Sequence, residues 1–64
     1  MRETRYDALL WVLSVAFRYM ADGWSTQNAI ALATEERQIK GLDLYDLTQN
    51  ELQNRINASL AVQP

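Results

Sequence analysis

The sequence predicts an all-α protein, one compact three-helix unit assembled into a helical dimer through its first helix. Three observations carry that prediction. Proline occurs only as the terminal Pro64, so nothing inside the chain forces a helix to break. Gly23 and Gly41 each follow a helix-periodic stretch, where a left-handed residue ends a helix. Thr4, Ser25 and Thr48 each precede such a stretch, as N-caps do.

The first helix is expected over about residues 4–22. Thr4 caps it, Asp7 stands three residues on as the acidic half of a capping box, and Trp24 follows Gly23 as the apolar residue that folds back on the last turn. The second runs over about 25–40, from Ser25 to Lys40, whose cation suits the negative end of the helix dipole. The connection LDLYDL carries four large apolar residues and should pack onto the helices. Thr48 with Glu51 repeats the S/T-x-x-E box and opens the third helix, over about 48–60.

Residues 1–64 form a single domain, and Met1 suggests a complete small gene product. A chain this short buries roughly 60% of the surface its unfolded form exposes, so its stability is marginal without a supplement. Cysteine is absent, which removes disulfides; histidine is absent, and no spaced acidic loop suggests calcium. No cofactor or metal is expected. Oligomerisation is the supplement that remains.

The first helix contains ALLWVLSVAF (Ala8 to Phe17), polar only at Ser14. A membrane span needs about 20 apolar residues; this run has ten before Arg18 and Asp22 intervene. The flanks, with Glu3 and Asp7 among the basic residues, do not make a signal peptide. The reading is a cytoplasmic protein with no membrane partner and a buried helix.

Around that helix, Tyr6, Leu9, Leu10, Leu13, Phe17 and Met20 make one stripe, taken as the core face. Ala8, Trp11, Val12, Val15 and Tyr19 lie opposite; only Asp7, Ser14 and Arg18 form a polar strip. The other helices offer less. Ile30, Ala33 and Arg37 share one side of the second, whose alanines permit close approach, and Leu52, Ile56 and Leu60 line the third. They can cover the Leu13 side, which leaves Ala8, Trp11, Val12, Val15 and Tyr19 as the expected protein interface, with Trp11 and Tyr19 as anchors. In the competing arrangement the two shorter helices clamp the first from both sides.

Without His or Cys the common nucleophilic triads are excluded. The carboxylate pairs Glu35–Glu36 and Asp43 with Asp46 would need a dry pocket to do acid–base work, and the chain is read as no enzyme. Six basic and eight acidic residues give a net charge of −2, far from the basic balance of nucleic-acid binders.

The stretch LTQNELQNRI resembles the LTQxELAxRL pattern that opens helices in many helix-turn-helix regulators. The resemblance covers ten residues. It implies a DNA-reading third helix, with Gln49, Asn50, Gln53, Asn54 and Arg55 as readers. Against it, Gly41 to Leu47 is long for the 3–4-residue turn of that motif. From Gly41 onward, Asp43, Asp46 and Glu51 also outnumber Arg55, and phosphate would be repelled.

The expected function is that of a small accessory regulator, an inhibitor or adaptor. Its partners would be a second copy of itself and an unidentified protein target, reached through an apolar helical surface, with no nucleic acid. A dimeric helix-turn-helix-like DNA-binding regulator is the alternative.

Overall fold

The computed structural model describes residues 2–62. Three helices follow in order: α1 (Arg5–Ala21), α2 (Thr26–Ile39) and α3 (Gln49–Ala61), with no strand among the described residues. The unit is compact and all-α; α2 packs closely along α1, and α3 packs mainly on α2 while touching α1.

The helix ends follow from the cap residues. At Thr4 the capping box is complete: Asp7 N–H donates to Thr4 Oγ1 (3.1 Å) and Thr4 N–H to Asp7 Oδ2 (3.0 Å). Ser25 Oγ accepts from Asn28 N–H. After α1, Gly23 turns left-handed, Gly23 N–H donates to Met20 O and Trp24 N–H to Tyr19 O. The Trp24 ring then folds back edge-on to Tyr19, centroids 6.4 Å apart. Gly41 ends α2 with the same pair of bonds, Gly41 N–H to Gln38 O and Leu42 N–H to Arg37 O. Both are Schellman closures, which satisfy carbonyls that a helix end leaves over.

At Thr48 half of the expected box is missing. Thr48 Oγ1 accepts from Glu51 N–H (3.1 Å), but the Glu51 carboxylate takes two hydrogen bonds from the Arg5 guanidinium (2.7 and 3.1 Å). A bidentate charge-assisted pair outbids one backbone N–H.

The core consists of Ala8, Leu9, Val12, Val15 and Ala16 of α1, Ala29, Ile30 and Ala33 of α2, Leu47 of the connection, and Leu52 and Ile56 of α3. This corrects the expected division of α1. Ala8, Val12 and Val15, expected to remain open for another chain, are buried within this one, whereas Tyr6 and Leu10 of the expected core stripe are exposed. Leu9 alone of that stripe is fully enclosed; Leu13, Phe17 and Met20 are half-buried. The cause is size matching. The inner side of α2 carries Ile30 and Arg37 but also Ala29 and Ala33, and these two alanines let it come close to α1, where Ala8, Val12 and Ala16 are buried in turn.

The connection from Lys40 to Thr48 packs on the helices through Leu47, Leu44 and Tyr45. It turns sharply at Leu44–Leu47, closed by Leu47 N–H to Leu44 O, with Tyr45 and Asp46 both left-handed (φ 51° and 55°). Each such non-glycine residue costs about 1–2 kcal/mol, and two arginines hold the turn in place. Arg5 Nε donates to Tyr45 O and to Asp46 Oδ1, both at 3.1 Å. Arg37 Nε donates to Asp43 O at 2.7 Å.

Candidate functional site

Among the described residues Arg37 is the one charged residue in the interior. Its place on the Ile30–Ala33 side of α2 sends the guanidinium inward, where it lies 5.2 Å from the centre of the Trp11 ring. Nη2 pairs with the Glu3 carboxylate, and Nη1 is buried with no hydrogen-bond partner among the described residues. Tyr45 Oη donates to Glu3 O, so the residues ahead of α1, the end of α2 and the connection are tied at one point. Burial pushes the Tyr45 phenol above its ordinary range, and the charges of Glu3 and Asp43 add to the effect. The hydrogen bonds of this cluster join parts of the same chain.

A second cluster, exposed, gathers Asp46 and Glu51 around Arg5. Hydrogen bonding from Arg5 holds the Glu51 carboxyl below the usual carboxylate range, opposed in part by desolvation. Hydrogen bonds to Glu51 and Asp46 push the Arg5 guanidinium up.

On α1, packing leaves an outer arc. Asp7, Ser14 and Arg18 form its polar half. Its apolar half is the row Tyr6, Leu10, Leu13 and Phe17, at i, i+4, i+7 and i+11, which at about 100° per residue run along a single line of the helix. Tyr6 is 64% exposed and Leu10 46%; Leu13 and Phe17 rest partly on the core. Such a row, exposed at Tyr6 and Leu10 and half-covered at Leu13 and Phe17, is an apolar line on one helix face of a kind suited to another protein surface.

The expected interface residues are therefore divided. Ala8, Val12 and Val15 belong to the core, and Trp11 is half-buried beneath Arg37. Tyr19 is half-buried too, its hydroxyl donating to Glu36 Oε2 at 3.4 Å. With Val15, Arg18, Asp22 and Glu36 it lines an open cleft of about 280 Å³. The cleft holds both signs of charge and no nucleophile, and it offers little chemistry. Among the described residues no three carboxylates gather as a metal site requires.

Of the amide-rich residues of α3, Gln49, Asn50, Asn54 and Arg55 are exposed and Gln53 is half-buried. Gln49 Nε2 donates to Gln27 O and Gln53 Nε2 to Asn57 Oδ1, both at 3.3 Å. No helix among the described residues is long and apolar enough to cross a membrane.

The outer row was hidden in the sequence by being counted as core. The signal that could have found it is the alanine content of α2, which selects the small side of α1 as its mate. Comparison with family models, with curated proteins and with solved structures found no match to this chain.

Proposed function

We propose that this chain is a non-enzymatic accessory regulator, an inhibitor or adaptor, that works by protein–protein contact. The contact is the outer row of α1, through which the chain also self-associates as a dimer. One observation carries the reading: Tyr6 and Leu10 stand out of the core at helical spacing, continued by the half-covered Leu13 and Phe17. Tyrosine and phenylalanine are apt anchors for such a contact, since each brings large area at small entropic cost. The need for a stability supplement in a chain without cysteine or histidine supports self-association. A cytoplasmic setting is part of the same proposal.

Sedimentation equilibrium at micromolar concentration tests it. The expected mass is at least twice the 7.4 kDa of one chain, with Leu10→Asp reduced to one chain at unchanged helicity. A monomer at every concentration contradicts the dimer.

The second reading, a dimeric DNA-binding regulator with α3 as reader, draws on the exposure of Asn50, Asn54 and Arg55. Against it, the connection before α3 is a folded, doubly clamped turn, and it carries Asp43 and Asp46. Recovery of one specific sequence from genomic fragments, lost with Arg55→Ala or Gln53→Ala, would favour it over the adaptor.

A further inference from the structure

The outer row of α1 is its own complement. Tyr6 and Phe17 lie equally far along the helix from the midpoint between Trp11 and Val12, and so do Leu10 and Leu13. Their 4-3-4 spacing is that of d-a-d-a in a heptad. Reversing a second copy of such a helix sets each large side chain against another of the same row, Tyr6 on Phe17 and Leu10 on Leu13.

The polar half of the arc comes close to the same symmetry, its Asp7 and Arg18 centred one residue further along the helix. Asp7 and Arg18 lie toward opposite ends of α1 and on the same flank of the row. When two helices are related by a two-fold axis perpendicular to them, like flanks come together on one side of the seam. Each Asp7 then faces the partner's Arg18, displaced along the axis by about two residues, or about 3 Å, which an arginine side chain spans. Asp7 has an oxygen to offer: Oδ2 serves the capping box with Thr4, and Oδ1 takes no part in it. A parallel pair would turn the polar flanks away from each other. It would also set the two helix dipoles side by side in the unfavourable sense.

Resting on the reading of this row as an association surface, we infer that its occupant is a second copy of the chain, docked antiparallel in an isologous α1–α1′ seam. The two-fold axis crosses the seam at the level of the Trp11–Val12 peptide, and two Asp7–Arg18 pairs flank the apolar layers.

The chain has no cysteine, so introduced ones report the register directly. Tyr6→Cys and Phe17→Cys are oxidised separately and as an equimolar mixture, with helicity checked by circular dichroism. In the antiparallel seam positions 6 and 17 are level. Two copies of position 6 stand about 16 Å apart along the axis, beyond the ~7 Å Cα separation that a disulfide tolerates. Disulfide dimer forming in the mixture, several-fold above either variant alone, is the expected result. Tyr6→Cys cross-linking with itself as readily as with Phe17→Cys overturns the antiparallel register while leaving self-association intact. No cross-link in any sample, from helical protein of monomer mass, overturns both.

Phe17 is half-buried, so a second variant guards against its failing to fold. Arg18→Glu, at an exposed position, is expected to weaken dimerisation roughly three- to tenfold through the loss of two surface pairs, with helicity retained. An unchanged dimer dissociation constant overturns the proposed register.

Discussion

The two faces of α1 differ in a way that its hydrophobicity does not reveal. The inner face is built of Ala8, Val12, Val15 and Ala16, with Leu9 its one large side chain, all enclosed by the chain itself; the outer row of Tyr6, Leu10, Leu13 and Phe17 is larger, yet less covered. In a molecule this small, the core goes to the face that lets backbones approach, because close packing of many atoms outweighs the area of a few large side chains. Of the large side chains of α1, Leu9 is enclosed, while Tyr6 and Leu10 are left at the surface.

Breaking the inner face should have the greatest effect. Val12→Asp puts an unpaired charge where no water reaches, at a cost of several kcal/mol. That is comparable with the whole stability of so small a domain, and circular dichroism should find the variant unfolded. Retained helicity would show that this face can open to solvent.

Next comes the charge inside the core. Arg37→Ala removes the stem that fills the interior and the partner of Glu3, and should cost about 3 kcal/mol in urea denaturation. Arg37→Met keeps much of the volume and abolishes the unpartnered Nη1, and should cost less than half as much. Equal losses would mean that the ion pair, not the packing, is what matters.

Overfilling the seam between α1 and α2 should rank third. Ala33→Leu introduces a side chain where the small faces meet, at about 1–3 kcal/mol. A neutral result in thermal unfolding would contradict the size-matching account.

The exposed Arg5 cluster gives the smallest effect, visible as a pH dependence. Because the Glu51 carboxyl is held below its ordinary value in the folded chain, its contribution is present at neutral pH. It is lost as pH falls below the carboxylate range, when the proton enters and the Arg5 pair weakens. Thermal midpoints of Glu51→Gln should therefore lie below those of the unsubstituted chain at pH 7 and draw together with them as pH falls below the usual carboxylate range. A constant gap at all pH would place the contribution elsewhere.

Much of the fold could be read from single residues. Thr4, Ser25 and Thr48 marked helix starts, Gly23 and Gly41 marked ends, and even the folding back of Trp24 followed from its place after a glycine, because caps are local and involve neighbours in sequence. The connection, too, announced its packing through Leu44, Tyr45 and Leu47. The face of α1 was not legible, since both sides are apolar and the choice depends on what α2 and α3 present. Arg37 shows the same limit. Its alignment with Ile30 and Ala33 placed it on an inward side, but that its guanidinium would lie against Trp11 depends on a helix distant in sequence. The same holds for Glu51, which its spacing assigned to Thr48 and which the tertiary structure gives to Arg5.

On the proposed reading it is the outer row of α1, and not its Ala8–Val12–Val15 side, that joins one chain to another. The most direct test is the thermal midpoint of the unsubstituted chain and of Leu10→Ser, followed over a hundredfold range of protein concentration. Leu10 is exposed, so the substitution should leave the monomer fold nearly untouched. For the unsubstituted chain the midpoint should rise with concentration, as it must when association stabilises the folded state; for Leu10→Ser it should stay constant. A midpoint that ignores concentration in both chains, or rises equally in both, would contradict the account.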